Sequence, residues 1–227
     1  MARPAAFIFD CDGTILDSMG MWITVQPRFL ARYGIEATDR DFARFEHLSM
    51  EEECVAYHET WGIEESGEAV RAVFTEVLRE QYTNHVEARD GVQAFLEEAH
   101  RAGIPMGIAT STQADLVAAG LAAQGLDRYF LTITTTGEAG RSKQFPDVYE
   151  LALERVRAAA GLGQVDYGDV WVFEDAPFGL RSARDAGMRT LGIFDPHGRA
   201  ARDEVRSLSD VFVDGYPELT VERLAAY

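Results

Sequence analysis

The chain has 227 residues, 47% of them hydrophobic, and its 38 acidic residues against 21 basic ones give a formal net charge of −17. This length suits one sizeable core that carries a smaller inserted domain. The acidic excess, without a basic stripe, argues against binding to a nucleic-acid backbone or an anionic membrane and favours small substrates. Two cysteines, Cys11 and Cys54, cannot form a disulfide framework. Met1 to Pro4 precede only a short apolar strand, which is neither a signal peptide nor a spanning helix, so we expect a cytoplasmic protein.

The first predicted strand, residues 5–9, ends in two carboxylates and a glycine turn. Asp10 and Asp12 stand directly before Gly13. Side chains two residues apart on a strand point the same way, so both carboxylates can face one ligand. Such a pair repels unless a cation lies between its members, and Mg²⁺ commonly takes one or two carboxylates together with phosphate oxygens. A plain strand followed by an Asp-Gly turn is the structural alternative.

The next segment, residues 19–86, reads as helical. Apolar side chains recur at helix-like spacings, for example Phe29, Leu30 and Tyr33, and turn residues such as Gly62 interrupt them. We interpret the segment as a cap domain inserted into a core made of residues 1–18 and 87–227. In that core, strand and helix patterns alternate, which predicts an α/β fold with a Rossmann-like parallel sheet covered by helices on both faces. The later strands are predicted at residues 131–134, 170–173, 190–194 and 211–213.

A second apolar run, residues 104–109, leads into Thr110, Ser111 and Thr112. Their hydroxyls and the freshly exposed amides can bind phosphate oxygens. Thr112 with Asp115 also resembles a capping box, so helix capping is the simpler alternative for these hydroxyls, and the two roles are compatible.

Lys143 is the only lysine in the chain. It lies in a predicted loop just before Pro146 and a helical segment. A compact ammonium can neutralise a phosphoryl oxygen or a carboxylate without demanding planar geometry. A solvated loop lysine is the structural alternative.

A further apolar run, residues 170–173, delivers Glu174 and Asp175. Open parallel sheets bind ligands beyond the carboxyl ends of their strands, so Asp10, Thr110 and Asp175 are expected to converge although they are far apart in sequence.

These motifs resemble, in chain order, those of the haloacid dehalogenase-like hydrolases, and within them the β-phosphoglucomutase and phosphoglycolate phosphatase branch. The matching segments are Asp10 to Ser18, Thr110, Lys143 with Pro146 and Asp147, and Glu174 to Gly179. The likeness covers nearly the whole chain.

The resemblance implies a role for each motif. Asp10 is the nucleophile that forms an aspartyl-phosphate, and Asp12 protonates the leaving oxygen and later activates water. Mg²⁺ is held by the carboxylates of Asp10 and Asp175 and by the backbone carbonyl of Asp12, and Glu174 assists. Thr110 and Lys143 hold the phosphoryl oxygens.

The same likeness separates hydrolysis from phosphoryl shuttling. A mutase must hold a second phosphate, yet the cap contains no lysine. Where the sugar-phosphate mutases carry a histidine this chain has Trp22, and their cap arginine corresponds to Met50. We therefore predict a Mg²⁺-dependent phosphoric monoester hydrolase acting on a small phosphorylated metabolite. A sugar-phosphate mutase is the alternative, and an inactive binding or regulatory protein on the same scaffold is a more distant one.

The cap offers candidates to face the leaving group: Trp22, Phe45, His47 and Met50. The acidic run Glu51 to Glu53 is more typical of a solvated helix start capped by Ser49. If the run reaches the pocket, it disfavours substrates with a second negative charge and tolerates polyols or amines.

Overall fold

Six parallel strands form the central sheet. A computed structural model describes residues 3–227; Met1 and Ala2, the start of the segment ahead of the first strand, lie outside the described residues. The strands of this part of the chain are, in order, β1 Ala6–Phe9, β2 Leu16–Asp17, β3 Glu87–Ala88, β4 Met106–Thr110, β5 Ile133–Thr135, β6 Val170–Glu174, β7 Arg189–Ile193 and β8 Val211–Val213.

The sheet order is β5-β4-β1-β6-β7-β8, and β1 pairs in parallel with both β4 and β6. The chain therefore builds outward from β1 in two opposite directions. The carboxyl ends of β1, β4 and β6 meet at this topological switch point, where open α/β sheets bind ligands. The predicted α/β fold with a Rossmann-like parallel sheet is confirmed.

Strand β1 is buried on both faces of the sheet. Phe7 and Phe9 pack into one hydrophobic cluster, in which Phe9 stacks on Phe173 of β6 with ring centroids 4.1 Å apart. Ala6 and Ile8 point into a second cluster on the opposite face. A strand buried on both sides reads as a continuous apolar run, which is why its pattern does not alternate.

Four helices lie between β2 and β3: α1 Met19–Ala31, α2 Asp39–Phe42, α3 Met50–Trp61 and α4 Gly67–Asn84. Because β2 and β3 pair antiparallel, the chain leaves the core and returns to it through neighbouring strands. The rings of Phe29 of α1 and Phe74 of α4 pack against each other at a tilt of 36°, with centroids 4.6 Å apart, inside this helical group. This group is the helical cap expected from the sequence, and we retain its division from the core at residues 19–86 as a proposal.

The helices of the core follow β3. They are α5 Val92–Arg101, α6 Ala114–Ala123, α7 Thr136–Ala139, α8 Asp147–Ala160, α9 Pro177–Asp185, α10 Arg202–Ser207 and α11 Val221–Ala225. Within residues 3–227 no helix combines the length and the apolarity needed to cross a bilayer.

The strand boundaries differ from prediction most at β5. The apolar run was predicted to pair from Leu131, but the strand begins at Ile133. Leu131 is 48% exposed. Apolar character alone therefore did not fix where pairing begins.

Candidate active site

Lys143 bridges two carboxylates at the switch point. Its Nζ donates hydrogen bonds to Asp10 Oδ1 and, at 2.6 Å, to Glu174 Oε1. Only 4% of the Lys143 side chain and 8% of the Asp10 side chain are exposed, and Glu174 is fully buried. Lys143 is therefore a buried ion-pair partner and not the solvated loop lysine of the structural alternative.

Helices α9 and α8 each hold one member of the Lys143–Glu174 pair. Ser182 Oγ donates to the backbone carbonyl of Lys143 at 2.7 Å, and Tyr149 OH donates to Glu174 Oε1 at 2.6 Å. Gly179 allows this close approach, because a Cβ there would lie 2.5 Å from the Tyr149 hydroxyl and 2.7 Å from the Glu174 carboxyl. The motif that ends in Gly179 thus holds the ion pair in position.

Asp10, Glu174 and Asp175 form a buried carboxylate cluster. One oxygen of each lies within 4.8 Å of the others. Gly13, at φ +80°, lets the turn after β1 pass beside the cluster, because a Cβ would lie 2.4 Å from Asp175 Oδ2. Carboxylate oxygens grouped in this way are the ligands that Mg²⁺ prefers.

Burial disfavours the charged carboxylates of this cluster. It raises the pKa of Asp10 to about 8, although the charge of Lys143 opposes the effect. It also raises the pKa of Asp175 well above its ordinary value, and the charge of Asp10 adds to the shift. Burial alone would lower the pKa of Lys143, but Asp10 and Glu174 outweigh it and raise that pKa. With all three carboxylates ionised, as metal ligands are, and one ammonium beside them, two negative charges remain, which a divalent cation would balance.

Asp12 faces a different set of partners, all of them hydroxyls. Its Oδ1 accepts hydrogen bonds from Ser18 Oγ at 2.6 Å and from Tyr82 OH at 2.5 Å. Its Oδ2 accepts one from Thr112 Oγ1 at 2.7 Å. Tyr82 belongs to the cap helix α4 and itself accepts a hydrogen bond from Trp22 Nε1 at 3.1 Å. The cap therefore reaches directly to Asp12.

The hydroxyl segment after β4 does not cap the helix that follows. Helix α6 has Gln113 at its N-cap, without a side-chain cap hydrogen bond, so the capping box expected from Thr112 is wrong. The Thr112 hydroxyl donates its hydrogen bond to Asp12 instead. The Thr112 backbone N–H donates to Thr110 Oγ1 at 3.0 Å. Ser111 borders the same cavity as Thr110, and its backbone carbonyl accepts a hydrogen bond from the Met50 N–H of the cap at 3.1 Å.

Arg89 fixes the turn that carries both aspartates. Its guanidinium donates to the carbonyl of Gly13 at 2.5 Å and to the carbonyl of Phe194 at 2.7 Å. It also lies 3.5 Å from the buried Asp195 carboxylate. The turn after β1 is thereby tied to the end of β7.

A cavity of about 710 Å³, including its open mouth, lies between these groups and the cap. Of the cap residues expected to face the leaving group, Trp22 and Met50 border the cavity. Phe45 does not, because it packs against Tyr57 inside the cap with ring centroids 5.8 Å apart. His47 is half-buried outside the lining.

The acidic run at the start of α3 is divided between solvent and cavity. Ser49 accepts a hydrogen bond from the Glu52 N–H at 3.2 Å and forms the expected cap, and Glu51 and Glu52 are exposed. Glu53 instead turns inward and borders the cavity. Its Oε1 accepts hydrogen bonds from Gln26 Nε2, at 2.7 Å, and from Tyr57 OH. Burial raises the pKa of Glu53 to about 7, although these hydrogen bonds and the charge of Arg199 oppose the shift.

Glu53→Gln is expected to stabilise the protein above neutral pH. The folded state holds the Glu53 proton more tightly than the unfolded chain, whose pKa is 4.5, so wild-type stability falls as pH rises from 4.5 to about 7. Glutamine keeps an acceptor for Gln26 and Tyr57 and does not titrate. Urea unfolding should give the variant an advantage of up to about 3 kcal/mol at pH 8 and almost none at pH 4.

The matched control is Glu59→Gln, an exposed position on the same helix. This control should follow the wild type at every pH. A Glu53→Gln advantage that is equal at pH 4 and pH 8 would contradict the prediction, because it could not come from ionisation.

A family model described as Haloacid dehalogenase-like hydrolase matches residues 7–193. The chain belongs to the haloacid dehalogenase-like hydrolases. The predicted family and the predicted class of enzyme, a hydrolase, are thereby confirmed.

Individual relatives cover most of the chain. Phosphorylated carbohydrates phosphatase of Thermotoga maritima is 25% identical over 82% of this chain and 83% of its own length. Protein CbbY of Cupriavidus necator is 31% identical over 82% of this chain and 76% of its own length. The solved structure of CbbY from Rhodobacter sphaeroides in complex with phosphate matches the fold with a TM-score of 0.77, at 23% identity, over 95% of this chain and 96% of that one.

This haloacid dehalogenase-like site also contains side chains that sequence reasoning missed. Gln26 and Arg199 border the cavity, and Tyr82 contacts Asp12. Tyr82 gave no separate signal, because its position on α4 fits the apolar stripe of a helix. Thr112 was predicted to bind phosphate or to cap a helix, but not to donate to Asp12. All of these contacts depend on how the cap meets the core.

Proposed function

We propose that the chain is a Mg²⁺-dependent phosphatase that hydrolyses a small phosphomonoester through an aspartyl-phosphate on Asp10. The observation that carries the proposal is the buried Lys143 between Asp10 and Glu174, beside a carboxylate cluster and at the floor of a cavity. The relative from Thermotoga maritima is named a phosphorylated carbohydrates phosphatase, which supports a small phosphorylated metabolite as the substrate class.

In the first step, a carboxylate oxygen of Asp10 attacks phosphorus and the bond from phosphorus to the leaving oxygen breaks. Asp12 donates a proton to that oxygen, so the product leaves as a neutral alcohol. In the second step, Asp12 takes a proton from water, the water oxygen attacks phosphorus, and the bond to Asp10 breaks. Inorganic phosphate leaves and both aspartates are restored.

An anion attacks an anion in this scheme, so the site must first reduce their repulsion. Lys143 supplies one positive charge beside Asp10, and Thr110 and Ser111 would bind the phosphoryl oxygens. Asp10, Asp175 and the backbone carbonyl of Asp12 would hold Mg²⁺, with Glu174 in support. The bound ion would offset the remaining negative charge of the carboxylates and the phosphate.

Phosphate release and metal binding test this proposal together. With Mg²⁺, the purified protein should release inorganic phosphate from a panel of phosphorylated sugars and polyols. Mg²⁺ should also raise the melting temperature, since a ligand at 100 times its Kd stabilises the folded state by about 2.7 kcal/mol. Asp175→Asn should reduce both effects, and KCl at equal ionic strength is the control.

The alternatives give different results in the same assay. A protein that binds Mg²⁺ without turnover of any substrate would support the inactive binding or regulatory scaffold. Label that passes from a bisphosphate back to a sugar, and not to water, would support the mutase. No release from the panel or from p-nitrophenyl phosphate would make the phosphatase proposal wrong.

Tyr82→Phe is expected to slow substrates with poor leaving groups more than activated ones. The change removes one of the two donors to Asp12 Oδ1, so the proton donor is less well oriented. General acid catalysis typically contributes about 10²–10⁴-fold, so the kcat on an alkyl phosphate should fall by roughly tenfold or more. The kcat on p-nitrophenyl phosphate should change little, because nitrophenolate leaves without a proton.

The ratio of the two rates separates positioning from damage to the fold. Tyr227→Phe, at a residue that is 59% exposed, should leave the ratio unchanged. An equal loss on both substrates would show that Tyr82 acts only in packing.

A further inference from the structure

The wall of the cavity formed by the cap and by the loop after β7 combines apolar and polar side chains, and its charged groups carry an excess of carboxylates. The cap contributes Gln26, Glu46 and Glu53, and the loop after β7 contributes Arg199. Gln26 is 5% exposed and is held between Glu53 and Tyr57 by hydrogen bonds of 2.7 and 2.9 Å. The side chains of Gln26 and Glu53 are therefore held in position by the protein itself, before a ligand binds.

Arg199 is already engaged by the cap. Its Nε and Nη2 donate to Asp39 Oδ1 at 2.9 and 2.5 Å, and Nη2 lies 3.4 Å from Gln26 Oε1. Its Nη1 is 4.0 Å from Glu46. Because Asp39 neutralises the guanidinium, Glu46 and Glu53 leave the wall with a negative excess.

Glu53 has an oxygen available for a ligand. The hydrogen bonds from Gln26 and Tyr57 both end on Oε1. Neither of these two hydrogen bonds uses Oε2, the second oxygen of the carboxylate. A carboxylate oxygen accepts hydrogen bonds from hydroxyl or ammonium groups and repels a second anion.

We propose that this wall selects a leaving group that donates hydrogen bonds and carries no second negative charge, such as a polyol or an amino alcohol. The inference rests on the proposed phosphatase and narrows its substrate class. It disfavours bisphosphates and phosphorylated carboxylic acids. The carboxylates of Glu46 and Glu53 would repel an anionic leaving group and attract a neutral or cationic one that donates hydrogen bonds.

Glycerol 3-phosphate and 3-phosphoglycerate provide a matched test, because they differ by a hydroxymethyl group in place of a carboxylate. At pH 8 the wild type should favour glycerol 3-phosphate by at least about tenfold in kcat/KM. Glu53→Gln should lower this preference about three- to tenfold. The double variant that combines Glu53→Gln with Glu46→Gln should lower it further. Phosphoethanolamine, whose leaving group carries an ammonium, should also be preferred over 3-phosphoglycerate.

The preference is measured as a ratio on one enzyme sample, so the active fraction of a partly unfolded variant cancels. Glu59→Gln should keep the wild-type ratio, and p-nitrophenyl phosphate serves as the separate test for phosphatase activity. If the wild type cleaves that compound but treats the matched pair alike, prefers 3-phosphoglycerate or cleaves neither, the inference is wrong. A ratio unchanged in the double variant overturns it as well. If p-nitrophenyl phosphate is also left intact, the proposed function itself fails.

Discussion

Asp10→Asn is expected to abolish phosphate release while the protein remains folded. In the proposed mechanism, the carboxylate of Asp10 forms the bond to phosphorus, and an amide is a far weaker nucleophile. We expect kcat to fall by at least about 10³-fold, as is typical when the nucleophile of a covalent mechanism is removed. Steady-state phosphate release measures the loss. Rapid quenching followed by mass spectrometry should find a phosphorylated Asp10 in the wild type and none in the variant.

The same substitution should not weaken the fold. Asp10 is one of three clustered carboxylates, and its burial penalises the charged form. Asparagine removes one charge from that cluster and keeps the shape of the side chain. Because two carboxylates share one ammonium, neutralising one of them relieves repulsion between like charges and leaves a compensated pair. Lys143 keeps its partner Glu174 in the variant.

We therefore expect a melting temperature at or above that of the wild type when no metal is added. Asp90→Asn, at an exposed position, is the matched control and should keep full activity. An Asp10→Asn protein with more than a tenth of wild-type turnover would contradict the assignment of the nucleophile. An inactive variant that is also unfolded would contradict the electrostatic argument.

The sheet and its motifs were predictable from sequence because each signal was local. The apolar run before Asp10 and the run before Glu174 are buried on both faces, so each stands out without alternation. Parallel strands bring their carboxyl ends to one edge. That rule alone brings Asp10, Thr110 and Glu174 together across more than a hundred residues of sequence.

The wall of the cavity was not predictable in the same way. Glu53 and Glu52 are neighbours in an acidic run, yet one borders the cavity and the other caps a helix. Helical rotation separates them, and only the contact between cap and core decides which face is enclosed. Phe45 failed as a candidate for the same reason, because an aromatic side chain in the cap can fill its own interior. Packing between distant segments therefore decides which cap side chains face the cavity, and local sequence patterns do not.

Lys143→Met is expected to cause the second large loss, in stability as well as in turnover. The methionine side chain is of similar length but cannot pair with Asp10 or Glu174, which would remain buried together without their cation. Removing one partner of a buried ion pair typically costs about 3–5 kcal/mol. Without metal, urea unfolding should reveal a loss of this size. Added Mg²⁺ should restore part of it, because the ion supplies positive charge to the same cluster.

Turnover should fall by at least about 10³-fold and should stay low when Mg²⁺ has restored the fold, since a charge beside the developing transition state has been lost. Lys143→Arg separates charge from shape. Arginine keeps the positive charge, so the Arg variant should lose less stability than the Met variant. Its turnover should remain impaired, because the planar guanidinium does not fit a site in which the lysine side chain is only 4% exposed. Equal stability of the Met and Arg variants would mean that the ammonium contributes by packing and not by charge.

The sequence offers a check on accessibility, because Lys143 is the only lysine and an amine reagent has no other side chain to modify. Buried as it is, Lys143 should react far more slowly in the folded protein than in urea.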